Sequence, residues 1–202
     1  YPSQPVVVKP LRSNGMRGVR ILKENAWDLN RFLSEKPGGL EISLSGLVEI
    51  LRRGPAWPEL ITMEYLPGSE YSVDLFRGER AEIAVPRLRK TIRSGITFES
   101  VLEFRKDLID SSIVAAREIG LKYAFGFQFK LSADGVAKIL ESNPRVQGTM
   151  AASLFSGANV IWMAVRELLG EAPSFEQSML KPATFYRYWG GVGICGEYVD
   201  EI

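Results

Sequence analysis

The sequence predicts an α+β fold with two lobes. Segments with the alternation of β-strands are interspersed with segments of helical spacing, and turn residues join pairs of strands in both halves of the chain. Pro67-Gly68 interrupts this pattern near the end of the first third. We therefore expect a first lobe at residues 1–67, a second lobe at residues 68–170, and a C-terminal tail of unknown role at residues 171–202.

The first lobe is predicted to contain three strands and two helices. Its opening strand is a β-branched run between prolines, and its second helix has apolar residues at helical spacing. Pro37-Gly38-Gly39 ends the first helix. In chain order the elements are a strand at Pro5–Lys9, a strand at Val19–Leu22, a helix from Asn25 or Asp28 to Glu35, a helix at Leu44–Leu51 and a strand at Leu60–Leu66.

The second lobe is predicted to begin with a hairpin, because Arg77-Gly78-Glu79 can turn the chain between two apolar strands. A basic loop then leads into a long helix that Gly120 can terminate. A second hairpin and a last helix follow. The elements are strands at Glu70–Phe76 and Ala81–Pro86, a loop with Arg87, Arg89, Lys90 and Arg93, a helix at Glu99–Gly120, a hairpin at Tyr123–Asn143 and a helix at Gly157–Leu169.

The second hairpin has the most informative pattern in the sequence. Apolar residues alternate along Tyr123–Leu131, and Asp134-Gly135 is a strong signal for a two-residue turn. If this dipeptide forms the tip, Ala133 faces Val136, and this pair sets the register of both strands. A three-residue bulged turn would instead put Gln128 on the opposite face of the hairpin.

Counting back from that tip places three oxygen-bearing side chains on one face. Gln128 lies opposite Glu141, and Asn143 lies opposite Gly126, whose missing side chain leaves open space. Amide and carboxylate oxygens are suited to a hard cation such as Mg²⁺, which takes its remaining ligands from water and substrate phosphates. The alternative is a surface hairpin with a polar face.

Two cationic segments are suited to phosphate. Arg145 follows Pro144, which ends the hairpin strand, and its planar guanidinium can bind a phosphoryl group. Lys9 ends an apolar strand, where it could hold phosphate or simply protect an exposed strand edge. Glycines in Ser13–Gly18 let backbone N–H groups approach phosphate oxygens, although these six residues alone favour a simple turn.

Composition excludes several classes of function. The chain of 202 residues is 46% hydrophobic, has a net charge of +1 and contains no long apolar run, which gives no indication of nucleic-acid binding or membrane insertion. The absence of histidine excludes Ser-His and Cys-His nucleophiles and the usual zinc sites. A single cysteine, Cys195, excludes an internal disulfide and favours a reducing, cytoplasmic location.

Four stretches together resemble the ATP-grasp superfamily and, within it, the branch of carbamoyl-phosphate synthase-like enzymes and carboxylate–amine ligases. Their order and spacing agree with that superfamily from the first residue to about Leu169. The stretches are Pro5–Pro10 with the loop Ser13–Gly18, Met63–Asp74, Gln128-Phe129 and Glu141–Arg145. The resemblance implies two α+β lobes with ATP held between them, Mg²⁺ or Mn²⁺ as the metal, and a preceding N-terminal domain that this sequence lacks.

The resemblance also implies roles for individual residues. The flexible loop would close over the triphosphate, the segment between the lobes would contact the adenine edge through its backbone, and the Glu70 carboxylate would hold the ribose hydroxyls. The expected phosphate contacts are Lys9, Ser13, Gly15, Arg17 and Gly18. The expected adenine contacts are Glu64, Tyr65 and Leu66. An ion pair with Arg87 across the first hairpin is the alternative role for Glu70.

The basic loop is expected to hang between the lobes, where Arg87, Arg89 and Arg93 would face a carboxylate substrate or an acyl phosphate. The alternative is an ordinary solvated surface. The sequence leaves open whether Asp74 and Cys195 have any role.

The sequence therefore predicts an ATP- and Mg²⁺-dependent ligase that activates a carboxylate as an acyl phosphate for attack by an amine, a thiol or a similar nucleophile. The expected catalytic residues are Arg145, Lys9 and Arg17. Residues 1–202 alone are expected to be inactive without the N-terminal domain. A non-catalytic nucleotide-binding or structural module is the alternative. The identity of both substrates and the formation of homo-oligomers are left open.

Overall fold

The computed structural model describes residues 5–12, 16–24, 33, 40–93, 95–171, 173, 175–188, 192–195 and 198–201. The chain divides into two compact units, Tyr1–Leu66 and Pro67–Ile202. Among the described helices, none is long and apolar enough to cross a membrane.

The first unit is built on a four-stranded sheet. Strand β1 (Val6–Pro10) lies inside this sheet and pairs antiparallel with β2 (Arg20–Leu22) on one side and β4 (Leu60–Glu64) on the other. The short strand β3 (Glu41–Ile42) pairs parallel to β2. Lys9 is therefore not on an edge strand, and the alternative role of protecting such an edge is wrong.

Helix α1 (Leu44–Arg52) is the one complete helix of the first unit within the described residues. Its N-terminus is capped by the Ser43 hydroxyl, which accepts a hydrogen bond of 3.1 Å from the Gly46 N–H. This helix agrees with the prediction. The helix predicted before Pro37 lies almost entirely outside the described residues.

The second unit is built on a six-stranded antiparallel sheet with the strand order β10-β7-β6-β5-β8-β9. Its strands are β5 (Glu70–Arg77), β6 (Glu82–Arg93), β7 (Ile96–Leu102), β8 (Tyr123–Leu131), β9 (Ala137–Asn143) and β10 (Ala183–Tyr186). Strand β10 belongs to the segment predicted as a tail. A further pair, β11 (Val192–Cys195) and β12 (Tyr198–Glu201), forms its own antiparallel hairpin.

Helices cover both faces of this sheet. Helix α2 (Lys106–Glu118) packs on one face, against the alternate residues Phe125, Phe127 and Phe129 of β8. The other face is covered in part by a 3-10 helix (Met150–Ser156) and by α3 (Val160–Leu168). Because α3 covers only the part of this face near Phe76, the rest of the face is free to carry polar side chains.

Two predicted elements of the second unit are wrong. The basic segment is not a loop but the second half of β6, and the helix predicted from Glu99 begins only at Lys106. Thr97, Phe98, Ser100 and Leu102 are buried in β7, which pairs with β6. A local helical pattern could not reveal this pairing, because the partner strand sets the burial of β7.

The last predicted helix is shorter than expected. Gly157 has a left-handed backbone with φ 94° and ends the 3-10 helix, so it cannot begin α3. Asn159 caps α3 instead, since its side chain accepts a 2.9 Å hydrogen bond from the Trp162 N–H.

Candidate functional site

The β8–β9 hairpin has the register that the sequence predicts at its polar end. Gln128 pairs with Glu141, and Gly126 pairs with Asn143. The side chains of Gln128, Glu141 and Asn143 therefore lie on one face of the hairpin, as expected. Asn143 Nδ2 donates a 2.8 Å hydrogen bond to Glu141 Oε1, which links the two side chains.

The hairpin reaches this register by a route that differs from the prediction. The tip is not a two-residue turn: the Ser132 N–H donates to the Val136 carbonyl at 2.9 Å, and Gly135 has a left-handed φ of 82°. Ala133 therefore does not face Val136. Leu140 then forms a bulge, because the pair Phe129–Ile139 is followed by Gln128–Glu141. The extra residue in the turn and the extra residue in the bulge cancel.

The space above Gly126 is filled, whereas the sequence predicts open space. A Cβ atom at Gly126 would lie 2.0 Å from Gln147 Nε2 and 2.8 Å from the Val73 carbonyl oxygen. Gln147 thus enters the site above the one residue of β8 that has no side chain. The glycine allows this close approach.

We expect Gly126→Ala to lower the free energy of unfolding by about 1–3 kcal/mol, because the Val73 backbone cannot move aside as a side chain can. Urea denaturation measures this change. Gly148→Ala is the matched control, since no atom lies within 4 Å of a Cβ there. Equal stability of the two variants would contradict the close packing of Gln147 over Gly126.

The predicted metal ligands are one carboxylate and two amides. Glu141 is exposed, and Gln128 and Asn143 are half-buried. Among the described residues there is no group of three or more His, Cys, Asp or Glu side chains placed to hold a metal ion. Oxygen donors with a single negative charge fit Mg²⁺ when substrate phosphates supply the remaining charge and ligands.

The basic segment of β6 is committed largely to internal contacts. The Arg87 guanidinium donates two hydrogen bonds to the Asp74 carboxylate, of 2.6 and 2.9 Å, and both side chains are buried. Ser72, not Glu70, pairs with Arg87 across the hairpin. Substrate contact by Arg87 would require this buried pair to open. Arg87 is therefore not available to a substrate while this pair is closed.

Arg89 is the ion-pair partner of Glu70. The alternative role of Glu70, an ion pair with Arg87, is therefore wrong, because Arg87 pairs with Asp74. Arg89 is also buried, whereas Arg93 is exposed and its guanidinium carbon lies 5.0 Å from the centre of the Phe98 ring.

A cavity of about 270 Å³ brings the hairpin residues together with side chains from elsewhere in the second unit. Five of its lining residues are site residues that the sequence predicts: Arg89, Gln128, Glu141, Asn143 and Arg145. It also includes Gln147 and Arg187, which the sequence does not single out. The cavity is therefore lined by three guanidinium groups and one carboxylate.

Gln147 and Arg187 each present an unused donor. Gln147 Nε2 and Arg187 Nε are buried and have no hydrogen-bond partner among the described residues. Arg187 is held in place by its Nη2, which donates to the Gly148 carbonyl at 3.0 Å, and by its backbone N–H, which donates to the Phe98 carbonyl at 2.7 Å. A buried donor without a partner, in a residue that lines a cavity, is a polar group that a water molecule or a ligand acceptor would satisfy.

Sequence reasoning missed both residues for different reasons. Gln147 lies only two residues after Arg145, so its proximity to the motif was the available signal. Arg187 directly follows the alternating residues of β10, in a segment that matched nothing in the resemblance. No local pattern marks it.

The predicted phosphate residues of the first unit lie on β1 and on the turn before β2. Lys9 is half-buried and pairs with Ile61 of β4. Met16 and Gly18 have left-handed φ values of 60° and 75°, and the Val19 N–H closes the turn by donating to the Met16 carbonyl at 3.2 Å. Arg17 lies inside this turn, while Ser13 and Gly15 lie outside the described residues.

The predicted nucleotide residues at the end of the first unit are all described. Glu64 ends β4 and pairs with Val6, Tyr65 follows it, and Leu66 is buried. Their role as adenine contacts stays a prediction.

Comparison with known proteins agrees with this architecture. The model of the family described as ATP-grasp in the biosynthetic pathway with Ter operon matches residues 56–187, which is more than half of the chain. The match includes the β8–β9 hairpin, the basic strand β6 and Arg187. No curated protein sequence matches the chain.

Several solved structures have a similar fold. The biotin carboxylase domain dimer of 2-oxoglutarate carboxylase from Hydrogenobacter thermophilus, in complex with MgADP, ADP and bicarbonate, superimposes with a TM-score of 0.66 at 17% identity, covering 89% of this chain and 39% of its own. Biotin carboxylase from Campylobacter jejuni, in complex with β,γ-ATP, gives a TM-score of 0.62 at 21% identity, and the match covers 89% of this chain and 40% of its own.

The ADP complex of N5-carboxyaminoimidazole ribonucleotide synthetase gives a TM-score of 0.61 at 18% identity, covering 90% of this chain and 45% of its own. The chain thus spans about two fifths of the length of these proteins. The α+β ATP-grasp fold that the sequence predicts is confirmed, and the chain belongs to the ATP-grasp family found in the biosynthetic pathway with the Ter operon.

Proposed function

We propose that this chain provides nucleotide- and metal-binding parts of a ligase that uses ATP to join a carboxylate to an amine or a similar nucleophile. One observation carries the proposal. Gln128, Glu141 and Asn143 share one face of the β8–β9 hairpin and line a cavity together with Gln147 and Arg187, which each have a buried donor without a partner among the described residues. A cation and an anionic ligand are the complementary occupants of such a cavity.

The reaction proposed has two steps with balanced bonds. A carboxylate oxygen of the substrate attacks the γ-phosphorus of ATP, the bond from that phosphorus to the bridging oxygen breaks, and ADP leaves. The nucleophile then attacks the acyl carbon, the bond from that carbon to the phosphate oxygen breaks, and inorganic phosphate leaves. The nucleophile loses its proton in this second step.

The chain's own residues would contribute position and charge. Gln128, Glu141 and Asn143 would hold Mg²⁺ or Mn²⁺, which supplies neutralisation of phosphate charge when bound. Arg145 lines the same cavity and would contact the transferred phosphoryl group. Lys9 and Arg17 of the first unit would contact the ATP phosphates. The MgADP and ADP complexes of the structurally similar enzymes support these ligands.

Gln147 and Arg187 would receive the carboxylate of the substrate. Both residues line the cavity, and each has a buried N–H donor without a partner among the described residues, whereas a carboxylate offers only acceptors. Glu141 supplies the single negative charge among the lining residues, against the guanidinium groups of Arg145 and Arg187, while the charge of Arg89 is offset by Glu70. This excess of positive charge favours an anionic substrate next to the metal.

Arg187→Met is therefore expected to raise the KM for the carboxylate about 10- to 100-fold, since a hydrogen bond to a charged group contributes roughly 1.5–3 kcal/mol. The affinity for ADP should change less than threefold. Steady-state kinetics and calorimetric titration with ADP measure these quantities. Arg166→Met is the matched control, because Arg166 pairs with Glu171 at 2.9 Å outside the cavity.

Because the chain spans about two fifths of the length of similar enzymes, the proposed activity is tested on the full-length protein. ADP release is followed with MgATP against a panel of carboxylates, in the presence and absence of amines. Release that depends on both substrates supports the ligase. Stabilisation by MgATP without release of ADP would point to a non-catalytic nucleotide-binding module, and absence of both effects would contradict nucleotide binding altogether.

A further inference from the structure

We propose that Arg89 is a positioning residue that couples nucleotide binding to metal binding. The proposal rests on the proposed function, in which Gln128 holds the cation, and on the predicted role of the Glu70 carboxylate at the ribose hydroxyls. One nitrogen atom of Arg89 joins these two side chains. Nη1 donates to Glu70 Oε1 and also to Gln128 Oε1, at 3.3 Å in the second case.

The guanidinium is fixed from behind by two further acceptors. Arg89 Nε donates to the Thr97 hydroxyl at 2.7 Å, and Nη2 donates to the Gly95 carbonyl at 2.6 Å. The Arg89 side chain is only 6% exposed. Four of its five N–H groups therefore have a partner inside the protein, which leaves little capacity for a substrate. Arg89 therefore holds the side chains of Glu70 and Gln128 in place instead of contacting the reactants.

Arg89 determines which atom of Gln128 is available. A guanidinium only donates, so the Gln128 amide must turn its oxygen, and not its nitrogen, toward Nη1. The same oxygen has a second lone pair that a cation can use. Without Arg89, the amide could rotate and present its nitrogen, which cannot bind Mg²⁺.

Arg89 also orients Glu70 and balances charge. Glu70 Oε1 is engaged by Arg89, and the other oxygen, Oε2, lies 4.0 Å from Lys130 Nζ. The Glu70 charge offsets the positive charge of Arg89, which would otherwise repel a cation held by Gln128. A ligand that shifts Glu70 therefore acts on the metal ligand through one shared nitrogen.

Coupling of this kind is reciprocal: if Mg²⁺ raises the affinity for ADP by a certain factor, ADP raises the affinity for Mg²⁺ by the same factor. The structure predicts that this factor depends on Arg89. Calorimetric titration of the full-length protein with ADP is carried out once with Mg²⁺ and once with EDTA. The ratio of the two dissociation constants for ADP measures this factor.

We expect Arg89→Met to reduce this ratio at least about fivefold, the lower end of typical couplings between sites. Arg89→Lys should give an intermediate ratio, because one ammonium cannot reproduce the four contacts. Arg166→Met should leave the ratio unchanged. A purely structural role for Arg89 would weaken ADP binding equally with and without Mg²⁺, so an unchanged ratio in Arg89→Met would overturn the proposal.

Thr97→Val provides the same test without removing a buried charge. It deletes only the hydroxyl that anchors Arg89 Nε and keeps the shape of the side chain. If Arg89→Met does not fold, the ratio of the two dissociation constants is measured in Thr97→Val instead. A ratio equal to that of the unmodified protein would overturn the proposed coupling. Failure of the unmodified protein to bind ADP would instead contradict the proposed function, and a ratio of one in that protein would contradict both.

Discussion

Replacing Asp74 by alanine is expected to lower the free energy of unfolding by about 3–5 kcal/mol, the cost of leaving a buried charge without its partner. Asp74 and Arg87 are 0% and 1% exposed, and two hydrogen bonds join them. Arg87 Nη1 already has no partner among the described residues. Without Asp74, the buried guanidinium would lose the carboxylate that neutralises it.

Urea denaturation of the full-length protein measures this loss. Asp110→Ala is the control, because Asp110 forms an exposed ion pair with Lys106 within the same unit and should contribute about 1 kcal/mol or less. The double variant Asp74→Leu with Arg87→Met should recover much of the stability, since an apolar pair needs no desolvation of charge. A loss below about 1 kcal/mol in Asp74→Ala would show that this pair does not hold the centre of the sheet.

Glu141→Gln is expected to abolish the stabilisation that Mg²⁺ adds to ADP binding and to reduce turnover by about 100-fold or more, the scale at which removal of one preorganised electrostatic contact acts. The substitution keeps the shape of the side chain and removes the only carboxylate of the predicted metal set. A ligand bound by the native state alone raises the melting temperature in proportion to its affinity. The difference between the melting temperatures with MgADP and with ADP alone therefore measures the contribution of the metal.

Thermal unfolding with ADP in the presence of Mg²⁺ or EDTA gives this difference. Asn143→Ala should act in the same direction, because its amide is the third predicted ligand. Ser142→Ala is the matched control, since Ser142 pairs with Phe127 and belongs to the opposite face of β9. A Mg²⁺ effect that survives in both Glu141→Gln and Asn143→Ala would end the metal assignment.

The sequence was sufficient for the two faces of each hairpin strand but not for the path of the chain between the strands. Alternation fixes which residues share a side within each strand, because side-chain direction in a strand has a period of two, but the turn and any bulge fix how the two strands match. The turn and the bulge at Leu140 lie outside that rule. Their offsets cancel, so the predicted pair Gln128–Glu141 is confirmed although the predicted pair Ala133–Val136 is wrong.

Charged residues of β6 were the least predictable part of the site. Several cations close together in a sequence indicate a solvated loop, since isolated charges rarely enter a core. Arg87 and Arg89 are nevertheless buried, because Asp74 and Glu70 of the neighbouring strand offset their charge. The partners are 13 and 19 residues away, and strand pairing alone decides that they meet.

By itself, the sequence determined the α+β class and the family, because alternation and motif spacing are local properties of the chain. The shared face of Gln128, Glu141 and Asn143 was predicted correctly, but it depends on a turn and a bulge that cancel. Only the tertiary structure decided that β1 is an interior strand, that Gln147 fills the space above Gly126 and that Arg187 enters the cavity. These features depend on contacts between residues distant in sequence. Burial and unpaired donors are defined only once those contacts have formed.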